Sequence, residues 1–221
     1  MTKLLKIFLV AFFLLVVTLN VDAQFIKGAL IFGTNISQVD GDEVYGFKKI
    51  GFNIGASAIV PFSNKWAISI ENIYSQKGAY QKPQYADSIS GEYRIKLNYV
   101  EVPVLVHYTD KNIFTVGAGL SWGRLVKVDE WEHGNKTNTS LSSGTYSQND
   151  INILADLRFR IWKKLKFNIR YAYSIPKIRT REHSDLSGDT WIRKQYNNLV
   201  SFRLIYVFNE RQSFVNRNEQ E

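Results

Sequence analysis

The chain has 221 residues and no cysteine, which suits one domain or a modest two and excludes a disulfide scaffold, a thiolate zinc site and a cysteine nucleophile. Hydrophobic residues make up 45% and aromatic residues 14%, which excludes a disordered chain and favours strands. The formal net charge of +8 is spread along the chain without a clustered stripe, which argues against nucleic acid and for an anionic membrane surface as the partner.

Residues 1–23 read as a cleaved export signal. Lys3 and Lys6 make a basic start, Leu4 to Leu19 an apolar run, and Val21-Asp22-Ala23 ends on a small residue before Gln24. The alternative is a membrane anchor, but the apolar core from Ile7 to Val17 is shorter than the ~20 residues of a spanning helix. No cysteine follows the run, so it is not a lipoprotein signal. Cleavage leaves a net charge of +7 and no other long apolar run.

After the leader, eight stretches place an apolar residue at every second position. They span 25–36, 49–60, 66–75, 93–108, 113–126, 150–161, 165–175 and 196–208. The clearest is the second, where Ile50, Phe52, Ile54, Ala56, Ala58 and Val60 alternate with Gly51, Asn53, Gly55 and Ser57. A soluble sandwich would alternate too. The connections discriminate: 61–65, 109–112 and 162–164 are tight, whereas 38–48, 76–92, 127–149 and 176–195 are long and polar. Long and short strictly alternate, as the external loops and periplasmic turns of outer-membrane barrels do. The expected fold is all-β: an eight-stranded antiparallel transmembrane β-barrel over 24–208, an up-and-down meander with both termini periplasmic. Residues 209–221 read as a polar periplasmic tail.

In lipid the apolar face of such a sheet turns outward, leaving a polar inner face that cannot form a dry core. Glu71, Glu101, Asp156, Arg158, Arg170 and Arg203 lie near mid-strand on that inner face. An arginine facing lipid there would cost roughly 2–4 kcal/mol. Inside a narrow barrel the three acids and three arginines are expected to pair as a structural plug. Side chains fill the interior of small OmpA/OmpX-type barrels, so no open pore is expected. Trp66, Phe114, Tyr206 and Phe208 fall near the short-turn ends of their strands, and Tyr74, Trp122 and Tyr173 near the long-loop ends. Two levels of aromatics are expected at the two membrane interfaces. Tyr206 and Phe208 also give the last strand the aromatic end read by the outer-membrane insertion machinery, although a polar tail follows it.

The run Gly33-Thr34-Asn35-Ile36-Ser37-Gln38-Val39-Asp40-Gly41-Asp42 resembles the first strand and loop of the Bacteroidetes outer-membrane β-barrel family, often called PorT-like (OMP_b-brl_2-type). Tyr74-Ser75-Gln76-Lys77-Gly78 and Leu97-Asn98-Tyr99-Val100-Glu101-Val102-Pro103 are similar to its third- and fourth-strand motifs. A proline inside a strand is unusual, which makes the last motif the most specific. The resemblance implies a barrel and a Bacteroidetes-type source. Some members of that family take part in type IX secretion.

Candidate chemistry is sparse. Asp40-Gly41-Asp42-Glu43 offers carboxylates for Ca²⁺ but lacks the full loop spacing, and acids around glycine are ordinary turn residues. His107 lies near a short turn, and His133 and His183 stand beside Glu132 and Glu182 in long loops. A histidine–acid pair can act as base and orienter, yet no nucleophile turn accompanies either pair. Asn135-Lys136-Thr137 and Asn138-Thr139-Ser140 read as plain loop polarity. The sequence therefore points to a non-enzymatic barrel without cofactor or metal. Its expected partners are outer-membrane lipid or lipopolysaccharide, the insertion machinery, and a secretion or envelope protein. A barrel that binds or modifies a ligand through its loops, and a soluble lipocalin-like binder in the periplasm, are the alternatives.

Overall fold

The computed structural model describes residues 26–83, 91–184 and 189–208. The expected leader, Phe25 and the expected tail lie outside the described residues. Eight long strands dominate: β1 (Lys27–Asp40), β2 (Lys49–Pro61), β3 (Trp66–Gln81), β4 (Tyr93–Asp110), β5 (Phe114–Glu132), β7 (Asn149–Arg160), β8 (Leu165–Ser174) and β10 (Thr190–Val207). Two short strands, β6 (Asn135–Lys136) and β9 (Arg179–Ser184), flank the ends of β5 and β10, and one 3-10 turn spans Leu141–Ser143.

Consecutive long strands pair antiparallel, and β10 returns to pair with β1 from Ala29↔Val207 to Asp40↔Tyr196. The eight strands therefore form a closed ring. Closure leaves no unpaired edge at this level, the condition for placing a sheet in hydrocarbon. The short connections fall at one end and the long ones at the other, with the strand parity read from the sequence.

The side chains sort by the same parity. On β1, Ala29, Ile31, Asn35 and Ser37 are buried inside the ring, whereas Leu30 and Phe32 are 53% and 59% exposed outside it. Ile54, Ile70, Val104, Leu120, Ile153 and Leu204 continue that exposed apolar belt around the ring. An apolar surface of this extent is stable against lipid and costly in water. It sets aside the soluble lipocalin-like alternative.

Two sequence expectations are corrected. First, the strands run further toward the long-loop end. Residues 76–81 and 127–132 continue β3 and β5, and 190–195 begin β10; all three were expected to be loop. Beyond the apolar belt the outer face has no reason to be apolar, so the alternation that reveals a strand disappears. A bulge opposite Asn98 and Tyr99 hides the signal further. It leaves Val126 and Lys127 both exposed, after which Val128 and Glu130 turn inward.

Second, the interior is not polar throughout. Ala29, Ile31, Ile59, Ile73, Ile205 and Val207 form an apolar floor near the short turns. Leu105, Leu154, Ala172 and Leu199 form a smaller cluster at mid-height. At the long-loop end, Val39, Ala79, Ile95, Leu97, Tyr99, Leu125 and Val128 form a dry core. Tyr146 and Ile178, from two of the long connections, complete that core. Strand extension beyond the apolar belt makes this possible, because there the barrel packs as a soluble protein does.

Candidate functional site

The charged residues of the lumen occupy two levels between the apolar floor and the core at the long-loop end. In the lower cluster, Asp156 on β7 faces Arg170 on β8 across the ladder. Arg170 Nε donates to Asp156 Oδ1 at 2.7 Å, and its Nη1 and Nη2 donate to Glu71 Oε2 and Oε1 at 2.8 and 2.9 Å. Arg158 Nε donates to Asp156 Oδ2 at 2.7 Å and its Nη2 to Glu71 Oε1 at 3.1 Å. Arg203 reaches both carboxylates, at 3.4 and 3.2 Å, and its Nε donates to Asn168 Oδ1 at 2.6 Å. All five charged side chains are buried. Burial without these partners would cost several kcal/mol per ion.

Close backbone approach makes room for this cluster. A Cβ on Gly33 would stand 2.3 Å from the Phe202 carbonyl oxygen and 2.7 Å from Arg203 Cγ. Glycine is thus required on β1 where Arg203 crosses it.

Glu101 does not join the arginines. It belongs to the upper cluster, where Lys77 Nζ lies 2.6 Å from Glu101 Oε1 and 3.3 Å from Asp150 Oδ2. The same ammonium lies 4.9 Å from the Tyr99 ring centroid. Ser174 Oγ and Asn197 Nδ2 donate to Asp150 at 2.8 and 2.9 Å. Three arginines thus meet two acids below, and one lysine meets two acids above. The expected three-to-three pairing is replaced by two levels whose unmatched charges are opposite. Lys77 and Asp150 were missed because 76–92 read as loop and Asp150 as a strand end. Lys77 continues the inward parity of Ser69, Glu71 and Ser75, which was the signal available.

Above the apolar core lies a third polar group. Arg179 Nη1 donates to Glu130 Oε1 and to the Tyr146 hydroxyl, both at 2.7 Å. Arg181 Nη2 lies 2.6 Å from Glu132 Oε1. Burial pushes the Tyr146 phenol upward and keeps it protonated. In the β1–β2 loop, Val44 N–H donates to Asp42 Oδ1 at 2.9 Å. Burial raises the Asp42 carboxyl from 3.8 to about 7, against the lowering effect of that hydrogen bond.

The named aromatics all point outward. At the short-turn end Trp66 packs edge-on against Tyr108 at 5.1 Å and Tyr206 edge-on against Phe208 at 5.5 Å, while Phe114 and Phe159 form a tilted pair at 5.2 Å. At the other end Tyr74 lies 5.7 Å from Phe52 and Tyr173 lies 6.1 Å from Tyr196, while Trp122 is half exposed.

The candidate catalytic and metal groups stay apart. Ser69 Oγ lies 2.7 Å from His107 Nε2, but both residues are sealed inside the ring. His133 Nδ1 accepts from the Gly91 N–H at 3.0 Å, a loop-closing role. The side chain of His183 lies outside the described residues. Among the described residues no three carboxylates or histidines converge as a metal site, so Asp40, Asp42 and Glu43 do not form one.

No curated protein matches the chain. Among solved structures it is similar to Ail, the attachment invasion locus protein of Yersinia pestis, at 15% identity over 82% of this chain and 98% of that one, with a TM-score of 0.48. Neisserial surface protein A is similar at 12% identity over 83% and 96% of the two chains, with a TM-score of 0.45. A major outer membrane protein from Thermus thermophilus is similar at 10% identity over 83% and 99%, also with a TM-score of 0.45. Residues 14–179 match the outer membrane protein beta-barrel domain family. With a closed eight-stranded ring, an apolar outer belt and a charged interior, the chain belongs to that family of outer-membrane β-barrels.

Proposed function

We propose that this protein is a non-enzymatic, non-conducting barrel that holds a rigid external platform for an envelope or secretion partner. The observation that carries this reading is the stacking of the lumen: apolar floor, arginine cluster, lysine cluster and external core. The cavity between the two charged levels, lined by Asn53, Ser75, Glu101, Asn152, Arg170 and Arg203, holds about 20 Å³, the room of a single water. Above it the sheet continues in β3, β4, β5 and the β9–β10 hairpin, so the exposed loops stand on ordered strands. Tyr45 is 85% and Ile192 70% exposed at this end, and Trp191 Nε1 ties the hairpin to Glu43 at 2.9 Å. Exposed apolar groups on a tied platform suit protein contact better than small-molecule chemistry.

In this reading residues 1–23 are removed on export, the termini and the 209–221 tail are periplasmic, and the long loops face outward. Barrel insertion follows the aromatic end of β10. The strand motifs support a PorT-like placement, with a secretion component as the partner. Planar-bilayer recording tests the closed lumen: the expected result is no unitary conductance, and stable steps would overturn it. Crosslinking from native membranes through a residue at Tyr45 tests the platform, with one envelope protein captured reproducibly. A barrel crosslinked to lipid alone would overturn the partner-binding role.

A further inference from the structure

We infer that the short-turn rim is a binding ring for the anionic phospholipid headgroups of the adjoining leaflet. The inference rests on the orientation proposed above, which places that rim at the inner leaflet. Its first support is charge. Lys65, Lys111, Lys163 and Lys164 are exposed, and every one of the three short turns carries at least one of them. Lys27, Arg160 and Lys166 are half-buried at the adjoining strand ends. Among the described residues at this end, outside the buried arginine cluster, Asp110 is the sole acid. No carboxylate pairs with the four turn lysines among the described residues. The opposite end mixes both signs, with Glu130, Glu132 and Asp129 paired to Arg179, Arg181 and Lys136.

The second support is apolar and independent of charge. Each turn also exposes a large hydrophobic side chain beside its lysine: Phe62 at 49%, Ile113 at 61% and Trp162 at 72%. The outward aromatic pairs Trp66–Tyr108, Phe114–Phe159 and Tyr206–Phe208 lie one level above. Lys65 Nζ stands 5.8 Å from the Tyr108 ring centroid, spanning the two levels. A soluble polyanion such as a peptidoglycan fragment would satisfy the lysines and leave the hydrophobic turn residues in water. A leaflet satisfies both, because it offers phosphate level with the turns and acyl chain above it. Juxtamembrane lysines gain from each phosphate they meet.

The full chain, refolded in vesicles of phosphatidylcholine mixed with phosphatidylglycerol, provides the test. The readout is the lipid retained after mild extraction, measured by native mass spectrometry. Phosphatidylglycerol is expected to be retained about tenfold over phosphatidylcholine, less so at high salt. Replacing Lys65, Lys111, Lys163 and Lys164 by glutamine should abolish the preference, and replacing Lys49, Lys96 and Lys127 at the other end should leave it. No preference in the native chain, its persistence in the four-glutamine variant, or equal loss in the control overturns the inference. Displacement by free glycerol 3-phosphate would also overturn it, since the site would then be one for soluble phosphate. Heat-modifiable gel mobility checks folding. If the glutamine variant fails to fold, the four-arginine variant decides, because arginine must keep the preference and its loss overturns the ring. Retention in a symmetric bilayer is independent of orientation, whereas surface labelling of the Tyr45→Cys variant reports orientation alone, so the two readings fail separately.

Discussion

Glu71 and Arg170 stand on strands diametrically opposite in the ring, β3 and β8, and close a two-point ion pair across the lumen at 2.8 and 2.9 Å. The pair ties one wall of the barrel to the other at a level where main-chain pairing joins only neighbours. Asp156, Arg158 and Arg203 share its charges, so the cross-tie acts as one unit with β7 and β10.

Removing one member should therefore cost more than its own hydrogen bonds. Glu71→Gln leaves three buried guanidinium groups facing one carboxylate and should destabilise the barrel by about 3–5 kcal/mol. Reversing Arg203 to glutamate should impair folding as severely. Urea unfolding in lipid vesicles measures both, and unchanged midpoints would remove the cluster from the account of stability. The double change Glu71→Leu with Arg170→Met should recover much of the Glu71→Gln loss, because it leaves less uncompensated charge.

Gly33 is set by steric necessity. Alanine there would drive its methyl group into the Phe202 carbonyl and Arg203. Gly33→Ala should cost about 1–3 kcal/mol through overpacking. The same substitution at Gly144, whose φ is +69 but which has open space around it, should be milder. The difference between the two unfolding midpoints checks the claim.

The stacked lumen predicts that no single layer is the seal. Lys77→Met strands Glu101 and Asp150 and should destabilise by about 3–5 kcal/mol, yet leave the bilayer silent because the arginine cluster and the floor remain. Tyr146→Ala should open the core at the long-loop end and speed proteolysis in the β5–β7 connection, again without conductance. Channel activity from either variant alone would contradict the layered arrangement.

Asp42 gives the β1–β2 loop a pH dependence of known sign. Its carboxyl stands at about 7 when docked and at the ordinary 3.8 when released. Docking therefore favours the protonated form. The loop is held best below about pH 4, loses stability as pH rises toward 7, and changes little above it. Hydrogen exchange at Val44, whose N–H donates to Asp42, should quicken across that window. Asp42→Asn should flatten the profile; an unchanged slope would assign it to another group.

The barrel was legible in the sequence because lipid makes a simple demand. Each crossing strand must show lipid an apolar residue at every second position, so Leu30, Phe32, Ile54, Leu120 and Leu204 announce both strand and face. Turn length carried the parity of the two ends. The same logic placed Glu71, Asp156, Arg158, Arg170 and Arg203 on one inner surface, since a charge opposite an apolar row has nowhere else to go. What the sequence could not carry is the pairing within that surface and the build beyond the apolar belt. Glu101 shares its parity with Glu71 but sits at another height, and only strand stagger decides that it meets Lys77. Beyond the apolar belt the outer face is free to be polar, so 76–81 and 127–132 lose their alternation while keeping their hydrogen-bonded ladder. There the inner face is enclosed by Tyr146 and Ile178, residues brought together by connections distant in sequence. The sequence by itself determined which side of each strand meets lipid, because that choice is local and periodic. Tertiary structure decided which charges neutralise one another and what closes the barrel, because both depend on contacts across the ring.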